Sequence, residues 1–332
     1  MIKSGLCRGQ IVELLKYSSS NQSILSHINS TRSQTTNMTQ LVEASVDTNK
    51  LLRLVRLVVP SLSNGKHKGQ SGRIGVIGGS LEYTGAPYFA AISALKVGAD
   101  LVHVFCQREA ASVIKSYSPE LIVHPLLDLE DAVSQIEPWL ERLHVLVIGP
   151  GLGREPTIFE TVSQIIESCR STSKPLIIDA DGLHLISSNR QLIKDYTGVI
   201  LTPNAREFEV LFGDTPETIE ENMKSMGNGI TVMRKGARDK IYITNTVEIY
   251  QLGTGGSGRR CGGQGDLLSG SLATFYHWAL ESNQTNPSFI SAFASSFLTK
   301  QCNSYAFKKF GRSMVTGDMI NEIHNVFEDF FE

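Results

Sequence analysis

The middle of the chain alternates short apolar segments with longer segments of helical periodicity. Five apolar segments predict buried strands, over 74–77, 101–105, 145–148, 176–178 and 199–201. A helix is predicted from about residue 86 to residue 97, between the first two strands. Continuous apolar strands separated by helices indicate a mainly parallel sheet covered on both faces. The predicted fold class is therefore α/β, a three-layer α/β/α sandwich.

The last third of the chain changes this pattern. Segments 230–233, 240–244 and 247–250 predict closely spaced, partly antiparallel strands, and helices are predicted over 265–281, 287–307 and 316–330. Clusters of Gly, Asp and Asn follow several strand ends. Because ligands of open α/β sheets bind beyond the carboxyl ends of the strands, the function is predicted to lie there.

Composition narrows the class of partner. The chain has 332 residues, 41% of them hydrophobic and 19% charged, which is enough for one large domain or two small ones. A net charge of −2 gives no basic field for nucleic acid or an anionic membrane, and no apolar run reaches the ~18 residues of a membrane span. The five cysteines show no Cys-x-x-Cys spacing, which indicates reduced thiols and no zinc site. The expected partner is a small molecule.

Residues 1–50 differ in composition from the rest. Lys3, Arg8, Lys16 and Arg32 are opposed by Glu13 alone before residue 43, and Ser and Thr are frequent from 18 to 39. This balance is typical of a mitochondrial transit peptide, but it also describes a plain disordered tail. The expected organisation is an N-terminal extension over 1–50 and one domain over 51–332.

A glycine-rich run over 255–265 ends in Asp266, at the start of the helix predicted over 265–281. Glycines let the backbone wrap an anion, and the first N–H groups of a helix attract phosphate. It is not a Walker loop, because Gly-x-x-x-x-Gly-Lys-Ser/Thr is absent. Asp266 is either a group that acts on the substrate or a first-turn acid that stabilises the helix dipole.

Two further segments each have a ligand-binding and a purely structural interpretation. Asn204 and Glu207 stand three residues apart after Pro203, where they would either hold hydrated Mg²⁺ or form a helix cap with a capping box. The segment 235–239, with Lys235 and Arg238, would either straddle phosphates or form a solvated hairpin turn.

Glycine turns at other strand ends are less specific. Residues 149–153 either bring the backbone close to a ligand or only permit tight packing of a strand against a helix. Asp179 and Asp181 are either helix caps or ligands to substrate or metal. The polar turns 68–73 and 78–86 would together line a pocket for a polar ring, or are simple turns.

In combination, the Gly-rich anion loop, the Asn-x-x-Glu pair and the basic loop resemble the ribokinase-like superfamily. The matching motifs are Gly-x-Gly-Asp at 263–266 and Asn-x-x-Glu at 204–207. Longer strings resemble the eukaryotic ATP-dependent NAD(P)H-hydrate dehydratase family: KGQSGRI at 68–74, EYTGAPY at 82–88, IGPGLG at 148–153 and RCGGQGD at 260–266. The resemblance extends over about residues 51–330 and leaves the first 50 unmatched.

The resemblance implies that the S-form of hydrated NADH or NADPH is dehydrated to the coenzyme, with ATP becoming ADP and phosphate. It implies that Asp266 is the general base that lets the ring hydroxyl attack the γ-phosphate, and that Mg²⁺ lies near Asn204 and Glu207, held through water. The residues implied for ATP are Lys235, Gly236, Ala237, Arg238, Asp239, Gly256, Ser257, Gly258, Arg259, Arg260, Cys261, Gly262, Gly263, Gln264 and Gly265. Those implied for the hydrate are Gly151, Gly153, Asn204, Ala205, Arg206, Glu207, Phe208, Glu209, Val210 and Asp266.

Two rival functions share these residues. One is an ordinary ribokinase-like kinase that phosphorylates an alcohol such as a vitamin precursor, and the other is a nucleotide-binding sensor without turnover. Bacterial family members often carry a fused epimerase domain, for which this chain has no room, so a separate epimerase is expected in the pathway. The expected location is the mitochondrion, otherwise the cytoplasm, and the oligomeric state is left open.

Overall fold

A ten-stranded sheet forms the centre of the described part of the chain. The computed structural model describes residues 43–45, 47–62, 65, 67–244, 248–253, 255–282 and 284–332, so residues 1–42 of the N-terminal extension expected over 1–50 lie outside the described residues. The strands are β1 Glu43–Ser45, β2 Arg73–Ile77, β3 Leu101–Cys106, β4 Ile122–Pro125, β5 Val145–Ile148, β6 Leu176–Ile178, β7 Val199–Leu201, β8 Ile230–Arg234, β9 Lys240–Ile243 and β10 Glu248–Gln251. Their order is β1-β10-β9-β8-β7-β6-β5-β2-β3-β4.

The sheet is mainly parallel, as predicted. Only the β8–β9 and β9–β10 pairs are antiparallel, and β1 joins the edge parallel to β10. Strand β2 pairs with β3 on one side and with β5 on the other, so the chain reverses its direction of travel across the sheet between β2 and β5. This switch point opens a crevice beyond the carboxyl ends of the two strands.

Helices cover both faces of the sheet. Their bounds are α1 Thr48–Val58, α2 Gly85–Val97, α3 Arg108–Tyr117, α4 Ala132–Leu140, α5 Pro156–Ser171, α6 Asp181–Ser188, α7 Ala205–Phe212, α8 Pro216–Ser225, α9 Gln264–Glu281, α10 Pro287–Phe310, α11 Thr316–Asn321 and α12 Ile323–Phe330. Among the described residues, no helix is both long and apolar enough to cross a membrane.

Alternate strand residues fill two separate cores. In β5, Val145 and Val147 pack with α2, α9 and α10, whereas Leu146 and Ile148 pack with α4, α5 and α6. Successive side chains of a strand point to opposite faces, so an all-apolar strand supplies both cores at once. The predicted three-layer α/β/α sandwich is confirmed.

Several elements differ from the prediction. Strands β1 and β4 and most of the helices were not predicted individually, and the helix expected over 316–330 is divided at Glu322 into α11 and α12. Strand β1 pairs with β10, and α1 packs Leu52 and Val55 into the core.

Candidate active site

The crevice is built on turns in which backbone passes very close to backbone. Gly79 N donates to the carbonyl of Gly151 at 3.0 Å, which joins the ends of β2 and β5. A Cβ added to Gly149, whose φ is +122°, would lie 1.9 Å from the carbonyl oxygen of Asp179. Glycine is therefore required at position 149, both by its conformation and by the space available.

A buried ion pair occupies the floor of the crevice. Lys235, which follows β8, places Nζ 2.6 Å from Oδ1 of Asp179, which follows β6. Asp179 is 1% exposed, and its Oδ1 also accepts from the N–H of Ala180 at 2.9 Å. Burial alone would lower the pKa of Lys235, but the carboxylates of Asp179 and Glu207 raise it, so the amine stays charged.

Asp266 lies beside this pair, in the first turn of α9. Burial is the main cause that raises the pKa of its carboxyl to about 7; the nearby charge of Asp179 raises it further and Lys235 lowers it. A carboxyl with that pKa exchanges protons readily near neutrality, which suits a general base. Gly263, the residue before the helix, has a φ of +93°, and a Cβ there would lie 2.8 Å from the ring of Phe89.

The glycine loop over 255–263 is hydrogen-bonded to side chains of two helices, α10 and α11. Asn303 of α10 accepts from Ser257 N at 2.5 Å and donates to the carbonyl of Arg259 at 3.3 Å. Thr316 of α11 donates to the carbonyl of Gly262 at 2.6 Å. These bonds use one N–H and two carbonyl groups of the loop and fix its path ahead of the first N–H groups of α9.

The basic loop over 235–239 is anchored to α10, the helix that carries Asn303. Asp239 is buried, and it accepts from Gly236 N at 2.7 Å and from Ser296 Oγ at 2.5 Å. Lys300 donates to the carbonyls of Gly236 and Ala237. Ser296, Lys300 and Asn303 recur along one face of α10, which thus positions both loops at once.

Asn204 and Glu207 form a complete capping box at the start of α7. Asn204 Oδ1 accepts from the N–H groups of Arg206 and Glu207, both at 3.0 Å, and Glu207 Oε2 accepts from Asn204 N at 2.8 Å. Burial raises the pKa of Glu207, Lys235 opposes that shift, and Asp179 and Asp181 add to it.

Sequence comparison identifies the family. The sequence model described as NAD(P)H-hydrate dehydratase matches residues 74–325, about three quarters of the chain. A protein of Aedes aegypti named ATP-dependent (S)-NAD(P)H-hydrate dehydratase is 64% identical over 292 residues, which are 87% of this chain and 88% of the relative. The chain belongs to the NAD(P)H-hydrate dehydratase family.

Solved structures agree on the fold of this dehydratase family member. A ribokinase-like superfamily protein of Enterococcus faecalis superposes with a TM-score of 0.71 at 21% identity, covering 89% of this chain and 99% of its own. The ADP/ATP-dependent NAD(P)H-hydrate dehydratase of Bacillus subtilis, co-crystallized with ATP/Mg²⁺, gives 0.62 at 19% identity, with 84% and 97% covered. The predicted ribokinase-like fold is confirmed.

The residues expected to bind the hydrate in this dehydratase family member are not equally placed. Gly153 N donates to Asp181 Oδ2 at 3.2 Å, on the crevice side of β5. Ala205, Arg206, Glu209 and Val210 are exposed along α7. Phe208 is 1% exposed and packs against Phe212 and Tyr242, so its side chain faces the core and not the crevice.

The residues expected to bind ATP group around the two anchored loops. Gly236, Ala237 and Arg238 are exposed, and Cβ atoms added to Gly258 or Gly262 would meet nothing within 4 Å, so both glycines face open space. Arg259 and Arg260 turn guanidinium groups back to the carbonyls of Met314 and Ser257. Cys261 Sγ and Gln264 Nε2 contact each other at 3.2 Å, and the side chain of Gln264 also reaches the carbonyl of Arg259.

One expected juxtaposition is wrong. The turn over 68–73 precedes β2 and lies at the opposite edge of the sheet from the turn over 78–86, which follows β2. Gly69 N and Ser71 N donate to Asp100, and Trp278 Nε1 donates to the carbonyl of Ser71. The segment 68–73 is a structural turn, so the two segments do not line one pocket.

The oxygen atoms near Asn204 and Glu207 are the candidate donors for the metal expected in this family. No group of three or more His, Cys, Asp or Glu side chains arranged to hold a metal occurs among the described residues. Glu207 Oε1 has no hydrogen-bond partner in that same part of the chain. The ammonium group of Lys235 interacts electrostatically with the carboxylates of Asp179, Glu207 and Asp266. Without a protein cage of three ligands, these oxygen donors fit Mg²⁺ that keeps most of its waters.

Proposed function

We propose that this protein is an ATP-dependent (S)-NAD(P)H-hydrate dehydratase that restores hydrated NADH and NADPH to the coenzymes. The observation that carries the proposal is Asp266, a carboxyl with a pKa of about 7 at the start of a helix that follows an anchored glycine loop. Family membership and the 64% identical relative of that name support the same activity.

In this mechanism Asp266 accepts the proton of the ring hydroxyl as the hydroxyl oxygen attacks the γ-phosphate of ATP. The bond between the γ-phosphorus and the bridging oxygen breaks, and ADP leaves. Phosphate is a far better leaving group than hydroxide. The C–O bond of the phosphate ester then breaks and the neighbouring ring carbon loses a proton, which restores the ring double bond and releases phosphate.

The anion loop stabilises the charge that develops during transfer. The N–H groups of residues 263–265 open α9, where the helix dipole favours negative charge. Removing one such donor in other enzymes costs about 3 kcal/mol of transition-state stabilisation, so a row of them is a large contribution. Lys235 adds a positive charge on the floor of the crevice, where a Cβ added to Gly265 would lie 3.3 Å from its Nζ.

Mg²⁺ would be held near Asn204 and Glu207 through water, and when bound it neutralises the charge of the phosphates. Glu207 contributes a carboxylate whose pKa is raised mainly by its burial, and the charges of Asp179 and Asp181 add to that shift while Lys235 opposes it. Asn204 holds the Glu207 carboxylate in place by donating its N–H to Oε2.

The test is an assay with purified protein, ATP and chemically hydrated NADH, with Mg²⁺ present and withheld. Return of the near-ultraviolet absorbance of the reduced nicotinamide, with one ADP formed per NADH, is the expected result. A stable phosphorylated product without NADH would instead favour a kinase. ATP binding without either product would favour a nucleotide sensor.

The excess of Lys and Arg over acids in residues 1–42 supports import into the mitochondrion, which a fusion of residues 1–50 to a fluorescent protein tests. Because the proposed reaction takes only the S-form, an epimerase would have to convert the R-form. Adding an epimerase to the assay should then raise the yield from a mixed hydrate from partial to complete.

A further inference from the structure

Two polar side chains at the switch point are buried without hydrogen-bond partners. Ser80 follows β2 and is 1% exposed, and Gln107 follows β3 and is 6% exposed. In the described part of the chain, four buried side-chain atoms lack a partner: Ser80 Oγ, Gln107 Nε2, Ser93 Oγ and Thr299 Oγ1. An unsatisfied buried polar group costs about 1–3 kcal/mol, so a pair of them in one place calls for a ligand.

Both atoms face the same glycine. A Cβ added to Gly153 would lie 3.6 Å from Ser80 Oγ and 3.8 Å from Gln107 Nε2. Gly153 has only a hydrogen at that position, so the space beside its Cα is bordered by a hydroxyl and an amide NH₂. Backbone hydrogen bonds hold Ser80 and Gln107 in place. Gln107 N donates to the carbonyl of Gly79 at 3.1 Å, and Tyr83 N donates to the carbonyl of Ser80 at 3.2 Å.

This polar pair lies at the same edge of the sheet as Asp266. Gly153 N donates to Asp181, the first residue of α6. Asp179, two residues earlier, pairs with Lys235, and both side chains lie next to Gly265. The crevice therefore extends from the Asp266 carboxylate past the ends of β6 and β5 to Ser80 and Gln107 at the ends of β2 and β3.

The chemistry of the pair selects one kind of group. Gln107 Nε2 only donates, whereas the Ser80 hydroxyl both donates and accepts. A primary carboxamide complements them, since its oxygen accepts from Gln107 and its NH₂ donates to Ser80. The hydrated nicotinamide ring carries its carboxamide on the ring atom opposite the hydroxyl-bearing carbon, so a ring with its hydroxyl at Asp266 turns the carboxamide away from that residue.

We propose that Ser80 and Gln107 recognise the carboxamide of the nicotinamide ring, with Gln107 donating to its oxygen and Ser80 accepting from its nitrogen. This inference rests on the proposed function for the identity of the ring. It makes the two residues determinants of specificity that hold the ring in register with Asp266.

The test compares the dissociation constants of two ligands for four proteins. The ligands are NADH and reduced 3-acetylpyridine adenine dinucleotide, which keeps the carbonyl oxygen and replaces NH₂ by methyl. The proteins are the wild type, Ser80→Ala, Gln107→Met and the control Ser93→Ala, which removes the same unpartnered hydroxyl from the core helix α2. Dissociation constants are measured by calorimetry in the presence of ADP, and ADP affinity and melting temperature check that each variant is folded.

The wild type should bind NADH about tenfold more tightly than the acetyl ligand, as the loss of one hydrogen bond to a buried group predicts. Ser80→Ala should abolish that preference, Gln107→Met should weaken both ligands by about the same factor, and Ser93→Ala should match the wild type. Equal binding of the two ligands by the wild type, no measurable NADH binding, or a preference that survives Ser80→Ala overturns the inference. The ATP-dependent assay decides the proposed function separately, because it does not depend on which atoms hold the carboxamide.

Discussion

The ammonium group of Lys235 lies 2.6 Å from Oδ1 of Asp179, directly beneath Gly265. A Cβ at Gly265 would lie 3.3 Å from Lys235 Nζ and 3.8 Å from Asp179 Oδ2, so the pair is next to the residue that precedes Asp266. The two charges act on Asp266 with opposite signs: Asp179 raises its pKa and Lys235 lowers it. The ion pair therefore tunes the proposed base while it closes the floor of the crevice.

The first prediction concerns the pH dependence of the wild type. Only the ionised form of Asp266 can accept a proton, and its pKa is about 7. We expect kcat/KM to rise about tenfold between about pH 6 and about pH 8 and then to level off. Steady-state rates across that range, with ATP and Mg²⁺ saturating, provide the measurement. A flat profile would remove Asp266 from the role of base.

The second prediction uses the two neighbours of Asp266 as a matched pair. Asp179→Asn removes a charge that raises the pKa of Asp266, so the rise in activity should move to lower pH. Lys235→Met removes a charge that lowers it, so the rise should move to higher pH. Both variants should lose activity and stability. Lys235→Met leaves the buried charge of Asp179 unpaired, at about 3–5 kcal/mol, whereas Asp179→Asn leaves Lys235 with Glu207 and should cost less. The shape of the residual profile is the readout, and shifts in the same direction would contradict the arrangement.

The third prediction separates chemistry from binding. Asp266→Asn should lower turnover by about a thousandfold or more while ATP affinity, measured by calorimetry, stays within about threefold. Wild-type turnover in this variant would exclude Asp266 as the base.

The same variant should also change the pH dependence of stability. The pKa of Asp266 rises from 3.8 to about 7 in the folded protein, so the native state binds an extra proton between those values. The stability of the wild type consequently falls as the pH rises through that window, and at about pH 8 the buried charge opposes folding in full. Asp266→Asn lacks that charge. It should melt at a higher temperature than the wild type at about pH 8, and the gap should close near about pH 4.

The fold was largely predictable from the sequence, because its buried parallel strands are uninterrupted apolar runs. The 145–148 strand is an example: all four side chains are buried, and the run ends at the glycines that open the crevice. Strand β4 was missed because Ile122, His124 and Pro125 at the sheet edge are not fully buried, and His124 and Pro125 break the apolar pattern. A strand at the edge pairs on one side only and needs less apolar surface.

The parts of the site that were missed depend on contacts distant in sequence. Asn303 and Thr316 follow the glycine loop they hold by 46 and 54 residues. A signal was present, since Ser296, Lys300 and Asn303 recur four and three residues apart along α10, but this spacing alone does not say what the three side chains contact. Ser80 was predicted only as part of a turn, and Gln107 was not predicted, because the absence of a partner is visible only in three dimensions.

The fourth prediction tests the anchoring of the glycine loop. Thr316→Val removes the hydrogen bond to the carbonyl of Gly262 without changing the size of the side chain, and Asn303→Leu removes both bonds of Asn303 to the loop. We expect KM for ATP to rise about threefold in the first variant and about tenfold or more in the second, because the loop loses its preformed shape. KM for the hydrate should stay within about twofold in both variants.

The matched control for the loop is Thr274→Val. Thr274 Oγ1 donates to the carbonyl of Ala94 at 3.1 Å, which joins α9 to α2 inside the core. Its loss should lower the free energy of unfolding by about 1 kcal/mol and leave KM for ATP unchanged. If Thr274→Val raised KM for ATP as much as Thr316→Val does, the effect would be one of general stability and not of the loop.

The fifth prediction decides between the two roles of the Asn204–Glu207 pair. Glu207→Gln keeps an oxygen that accepts from Asn204 N, so the capping box and the melting temperature should be preserved, but the charge is lost. Asn204→Ala loses the bonds to Arg206 N and Glu207 N and should cost about 1 kcal/mol of stability. If the pair also holds Mg²⁺ through water, Glu207→Gln should raise the Mg²⁺ concentration for half-maximal activity by about tenfold or more. An unchanged Mg²⁺ requirement with full activity would leave the pair as a helix cap alone, since only a metal role depends on the carboxylate charge that Glu207→Gln removes.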